Sequence, residues 1–185
     1  MTGRQTAALR RDGSFDAFEM ASRGLELSGS VEATELSRVA DELADGPATV
    51  TWQITGTTDP LGRPALVVNL DGAVTLECQR CLRDFAWPVA QRTLLLLARD
   101  EREQARLDED DEHEVVVGAA PLDPRVLVED ELLLTLPFAP HCERVDCATA
   151  EPLLGEDADS TSAREGSPFD ALASLKSGRA PKPKR

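Results

Sequence analysis

The chain has 185 residues, with 34 acids against 20 lysines and arginines, and its formal charge of -14 argues against broad electrostatic binding of nucleic acid by the body and favours basic partners. Hydrophobic residues are 41% of the chain but aromatics only 4%, so a core has to be built mainly from Leu, Val and Ala. The length suits one domain with loose ends. No apolar run approaches the roughly twenty residues of a membrane span, and the charged first thirty residues do not read as a secretory segment. The expectation is a cytoplasmic location with reduced cysteines.

Residues 1–22 mix charge with Ala, Gly and Ser and read as a mobile N-terminal arm with a short helix near 15–20; an ordered domain is expected over 23–148. Leu25, Leu27 and Gly29 alternate with Glu26, Ser28 and Ser30 as a half-buried strand. Leu36, Val39, Ala40 and Leu43 then stand at helical spacing until Gly46-Pro47 stops them. Val50, Trp52 and Ile54 return to alternation. Residues 66–70 and 74–76 read as a strand pair turning at Asp71-Gly72. Past the second of these, a cysteine knuckle leads into a further strand through Phe85, Trp87, Val89 and 94–97, an antiparallel unit.

Nine acids among the fifteen residues 100–114 read as a solvated loop, with His113 solvated inside it. A short strand is expected at 115–117. Asp123 and Pro124 cap and open a second helix, with Val126, Leu127, Leu133 and Leu134 on its apolar side and Glu129, Asp130 and Glu131 as a solvated face. An acidic linker spans 149–166. The last part, 167–185, holds a short helix and a basic tail. Ser167 caps the helix, Pro168 opens it, and Phe169, Leu172 and Leu175 with Lys176 make it a candidate partner-binding element. Arg179, Lys182, Lys184 and Arg185 can touch phosphates. The predicted fold class is α+β: a mainly antiparallel β-sheet with two packed helices, disordered termini and an acidic loop.

The four cysteines fall into two local pairs, Cys78 with Cys81 and Cys142 with Cys147. Each pair can present two sulfurs to one small cation, and together they supply the tetrahedral set that structural zinc prefers, with His141 as a competing ligand. Two other readings stay open. The thiols are ordinary reduced cysteines, or Cys78 and Cys81 form a redox dithiol, since Arg80 and Arg83 would lower a thiolate pKa. The strand expected after the knuckle, where a redox dithiol opens a helix, weighs against the latter. There is no Gly-rich phosphate loop and no HExxH, so neither an enzyme motif nor a small-molecule substrate is evident.

Three motifs follow one another: Leu76-Glu77-Cys78-Gln79-Arg80-Cys81-Leu82, the run from Leu122-Asp123 through Leu134-Thr135-Leu136-Pro137 into Cys142, and Ser167-Pro168-Phe169-Asp170-Ala171-Leu172-Ala173-Ser174-Leu175-Lys176. Together they resemble the YceD family of bacterial proteins, also found in plastids, over residues 24–176, which makes 23–148 a YceD-like domain. The resemblance implies a part in the accumulation of large-subunit ribosomal RNA and a gene lying beside one for a large-subunit ribosomal protein. It implies no known catalytic activity. Family members differ in how many of these cysteines they carry, so a metal cannot be the whole of the shared function. The expectation is a non-enzymatic ribosome biogenesis factor supporting synthesis, processing or accumulation of that RNA. Its acidic body would face a basic ribosomal protein, and its tail would face large-subunit ribosomal RNA or a precursor. The alternative expectation is a cytosolic four-cysteine zinc-binding or dithiol redox protein.

Overall fold

Alternating apolar and polar residues build a five-stranded sheet, which a computed structural model describes, with its flanking elements, over residues 6–110 and 113–147. The expected linker (149–166), the tail helix with Pro168, Phe169, Leu172, Leu175 and Lys176, and the basic residues Arg179, Lys182, Lys184 and Arg185 lie outside the described residues. The sheet runs β1 (Glu26–Glu32), β2 (Thr49–Thr58), β3 (Pro64–Glu77), β4 (Asp84–Ala98) and β5 (Glu114–Val117) in chain order. Its first four strands are antiparallel neighbours, and β5 adds parallel to β4. The fold class is α+β.

Register puts Leu27, Ile54, Val68 and Thr93 in one row across the sheet, and Val31, Val50, Gly72 and Val89 in another. The apolar members of both rows are buried in one core, because a period of two sends every second side chain to the same face. Gln53 and Asn69, one residue out of phase, are only half-buried and hydrogen-bond to Glu26 and to each other.

Helices α1 (Ala17–Arg23), α2 (Ser37–Ala40), α3 (Glu101–Asp110) and α4 (Pro124–Thr135) complete the domain. Asp16 caps α1 by accepting from the Glu19 N–H at 2.9 Å, and Gly24, at φ 61°, ends it. The helix then lies directly on β2. A Cβ at Gly56 would stand 1.9 Å from the Met20 carbonyl oxygen, so only glycine lets the two backbones approach. Asp123 caps α4 and Pro124 opens it, as expected from the sequence. Leu127, Val128 and Leu132 carry α4 into the same core and Leu133 packs against it, whereas Val126 and Leu134, expected on the apolar side, are exposed. None of the helices among the described residues is long and apolar enough to cross a membrane.

Several expectations about the elements need correction. Residues 6–22 are not a mobile arm: Phe15, Ala17, Met20 and Ala21 are core residues, and Phe15 exchanges backbone hydrogen bonds of 2.8 and 2.9 Å with Leu122. Asp71-Gly72 is no hairpin turn but lies inside β3, opposite Ala90 and Val89. Gly72 serves a close approach there, since a Cβ would meet the Thr49 carbonyl oxygen at 2.4 Å. The acidic stretch is not a loop, for 101–110 is helical. Asp100 accepts from the Glu103 N–H and Glu103 accepts from the Arg99 N–H, both at 2.8 Å, so two carboxylates take up backbone donors at the helix start and offset the density of like charge. Finally, the helix expected through Leu43 is shorter. After α2 the chain turns so that the Ala44 N–H bonds the Thr75 carbonyl at 3.0 Å.

Candidate metal centre

Beyond Gly72, the last residue of β3 that β2 pairs, β3 and β4 continue together as a two-stranded ribbon that Glu77 and Asp84 close, leaving 78–83 as its tip. The tip folds on itself by hydrogen bonds from the Cys78 N–H to the Arg83 carbonyl at 3.0 Å and from the Leu82 N–H to the Cys78 carbonyl at 2.8 Å. This tight turn places Leu82 at φ 53°, in the left-handed region, which costs a non-glycine residue about 1–2 kcal/mol. Knuckles of this shape aim two sulfurs at one point.

The other two sulfurs arrive from the segment after α4. Leu136-Pro137 ends that helix, and the Gln79 N–H bonds the Pro140 carbonyl at 2.9 Å, which docks the returning chain on the knuckle. Cys142 donates its N–H to the Cys78 sulfur at 3.3 Å. A turn of 3₁₀ helix over Val145–Cys147 brings in the fourth thiol. The docking is reinforced outside by an ion pair of 2.7 Å between Arg83 and Asp146, and by Arg144 bonding the Asp84 carbonyl.

All four sulfurs lie within 4.8 Å of one another, with Cys78 to Cys147 and Cys81 to Cys142 both at 3.7 Å. A zinc ion bonded to four sulfurs at about 2.3 Å needs sulfur–sulfur edges of about 3.8 Å, so the residues present fit a tetrahedral thiolate site. Cys78, Cys142 and Cys147 are buried and Cys81 is half-buried, in a small cluster distinct from the main core. All four are free thiols.

Their electrostatics differ. Burial raises the Cys78 thiol, but N–H groups of Cys142, Cys81 and Arg80 outweigh it and bring the pKa down to about 6. Burial likewise opposes ionisation of Cys81, and the Arg83 guanidinium overcomes it to lower that pKa. Burial together with the neighbouring sulfurs pushes the Cys147 thiol up to about 12. A bound divalent ion would hold all four as thiolates.

His141 stands aside, exposed, with its ring Nδ1 3.1 Å from the Ala139 carbonyl, and His113 is likewise outside the sulfur group. Two of the three acids of α4, Glu129 and Glu131, are not the solvated face expected of them, while Asp130 is about half exposed. Glu129 accepts from the Arg38 N–H at 2.7 Å and from its guanidinium at 2.9 Å, so a side chain of α4 caps α2. Glu131 is 2% exposed and receives the Thr93 hydroxyl. Only the contact across 91 positions of sequence reveals the first, and no local pattern marks it.

No solved structure matches the chain. The family model described as "Large ribosomal RNA subunit accumulation protein YceD" matches it over residues 66–176, from β3 through the knuckle and α4 and on beyond the described residues. That match covers more than half of the chain and includes both cysteine pairs, so the chain belongs to the YceD family, the large ribosomal RNA subunit accumulation proteins.

Proposed function

We propose that the protein is a non-enzymatic ribosome biogenesis factor supporting synthesis, processing or accumulation of large-subunit ribosomal RNA, and that Cys78, Cys81, Cys142 and Cys147 hold a structural zinc ion. The ribosomal part rests on the family match. The zinc part rests on one observation, the convergence of four sulfurs within 4.8 Å. Zinc here has four protein ligands and no open position, as in sites that hold a fold together and unlike those that activate water. It ties the ribbon tip to the chain after α4.

The acidic body suits a basic ribosomal protein, while Arg179, Lys182, Lys184 and Arg185 suit phosphates of large-subunit ribosomal RNA or its precursor in the cytoplasm. The redox alternative is weaker, because Cys78, whose pKa is brought down to about 6, is fully buried and out of reach of a substrate disulfide.

Elemental analysis of the purified chain, with thiol titration before and after chelation, tests the metal. About one zinc per chain, with four thiols released by the chelator, is the expected result. Four freely titrating thiols and no metal would sink the zinc reading. Sucrose-gradient profiles of cells lacking the gene test the ribosomal role, with a deficit of large subunits expected and an unchanged profile counting against it.

A further inference from the structure

Beside the sulfur cluster, the end of α4, the turn after α2 and the ribbon form a cleft of about 680 Å³. Its apolar lining includes buried Leu76 with half-buried Leu133 and Leu136. Phe138 stands at the lip at 101% exposure, a large aromatic left wholly in water. Asp41, Glu42 and Glu77 line the rim, all exposed, and the described lining residues include no lysine or arginine.

These leucines reward burial of a partner's apolar side chains. Three carboxylates with no lining cation attract a positive segment and repel nucleic acid or an acidic peptide. The cleft has room for a few anchoring side chains, the scale of a peptide or helix face laid in a groove. Its wall is also firm where it meets the knuckle, through the bond from Gln79 to Pro140.

We propose that this cleft docks a cationic segment of a protein partner, with apolar anchors against Leu133, Leu136 and Phe138 and lysines or arginines on Asp41, Glu42 and Glu77. The inference rests on the ribosome-assembly reading for where the partner comes from, and on charge complementarity for its chemistry.

Fluorescence anisotropy with the full chain tests it, using three labelled probes: an amphipathic leucine–lysine peptide, the same peptide with glutamate for each lysine, and a serine–lysine peptide without apolar anchors. The leucine–lysine peptide binds, more weakly as salt is raised, and the other two do not. Phe138→Ala, and separately Asp41→Asn with Glu42→Gln, each weaken binding about tenfold. These side chains are exposed, so the variants should melt as the wild type does, and a thermal scan checks this.

Equal binding by the variants, or equal binding of the serine–lysine peptide, overturns the proposal. So does loss of a dimer on Phe138→Ala in sedimentation, which would assign the face to a second copy of the chain. The gradient profile of cells lacking the gene keeps the two readings apart. A large-subunit deficit alongside a failed peptide titration removes the cleft alone, and an unchanged profile alongside successful titration removes only the ribosomal origin of the partner.

Discussion

Glu131 illustrates how a single side chain can work against the fold that holds it. Burial raises its carboxyl pKa, with Glu114 and Asp130 adding to the effect, and the Thr93 hydroxyl only partly offsets this. A raised carboxyl pKa means that the folded state binds more protons than the unfolded one between the ordinary carboxylate range and the raised value. Stability from this residue therefore increases as pH falls through that window and is lost as pH rises through it. Glu131→Gln should stabilise the protein at neutral pH by on the order of 1 kcal/mol, and the gain should vanish at mildly acidic pH. Denaturant melts of both proteins at several pH values check this, and a pH-independent difference would contradict it. The comparison has to be between variants, because Glu129, held low by the Arg38 backbone N–H and guanidinium despite its burial, loses stability in the opposite direction as pH falls.

Among the elements, α1 and β2 depend on one missing side chain. A Cβ on Gly56 would fall 1.9 Å from the Met20 carbonyl oxygen and 2.6 Å from the Ala21 nitrogen, both rigid backbone, so the helix would have to lift off the sheet. Gly56→Ala should cost about 3 kcal/mol, far more than the small change expected at an exposed strand position. A melting temperature within a few degrees of wild type would show that α1 shifts freely. Helix α3 makes the complementary point. Its acids repel, yet the Asp100–Glu103 cap and the ion pairs of Glu103 with Arg99 and Arg106 at 3.6 and 3.7 Å favour a helix in which Gln104 bonds the Val115 carbonyl.

At the scale of the whole domain, two buried clusters divide the labour. The larger one joins sheet, α1 and α4, while the sulfur cluster sits at the ribbon tip and touches the rest chiefly through Phe85. Removing a structural metal should therefore act locally. Chelation is expected to expose the amides of 78–83 and 140–147 to hydrogen exchange while the amides of β2 and the central part of β3 stay protected. Loss of protection throughout the sheet would mean that the sulfur site nucleates the entire fold. Cys142→Ser should reproduce the local pattern, because it removes one of the four sulfurs while leaving the backbone N–H that reaches the Cys78 sulfur in place.

Much of this architecture is written locally. The alternation of Val50, Trp52 and Ile54, the caps at Asp16 and Asp123, and the two short cysteine spacings are set by neighbours in sequence, where side-chain period and backbone hydrogen-bonding rules act directly. Asp100 and Glu103 are just as legible as a helix start, set against the like charge that surrounds them. Other features came only with tertiary structure. Asp71-Gly72 has the chemistry of a turn, and it stays extended because β4 pairs along the full length of β3 and β2 approaches Gly72 too closely for any side chain. Glu129 becomes a cap for α2 across 91 positions, and Phe15, Ala17, Met20 and Ala21 become core through β2 and Leu122, segments well removed from them in sequence. The convergence of the two cysteine pairs is of the same kind. Spacing made each pair capable of binding a metal, but whether four sulfurs meet depends on where a long ribbon ends and how α4 returns the chain, distances that no local rule contains.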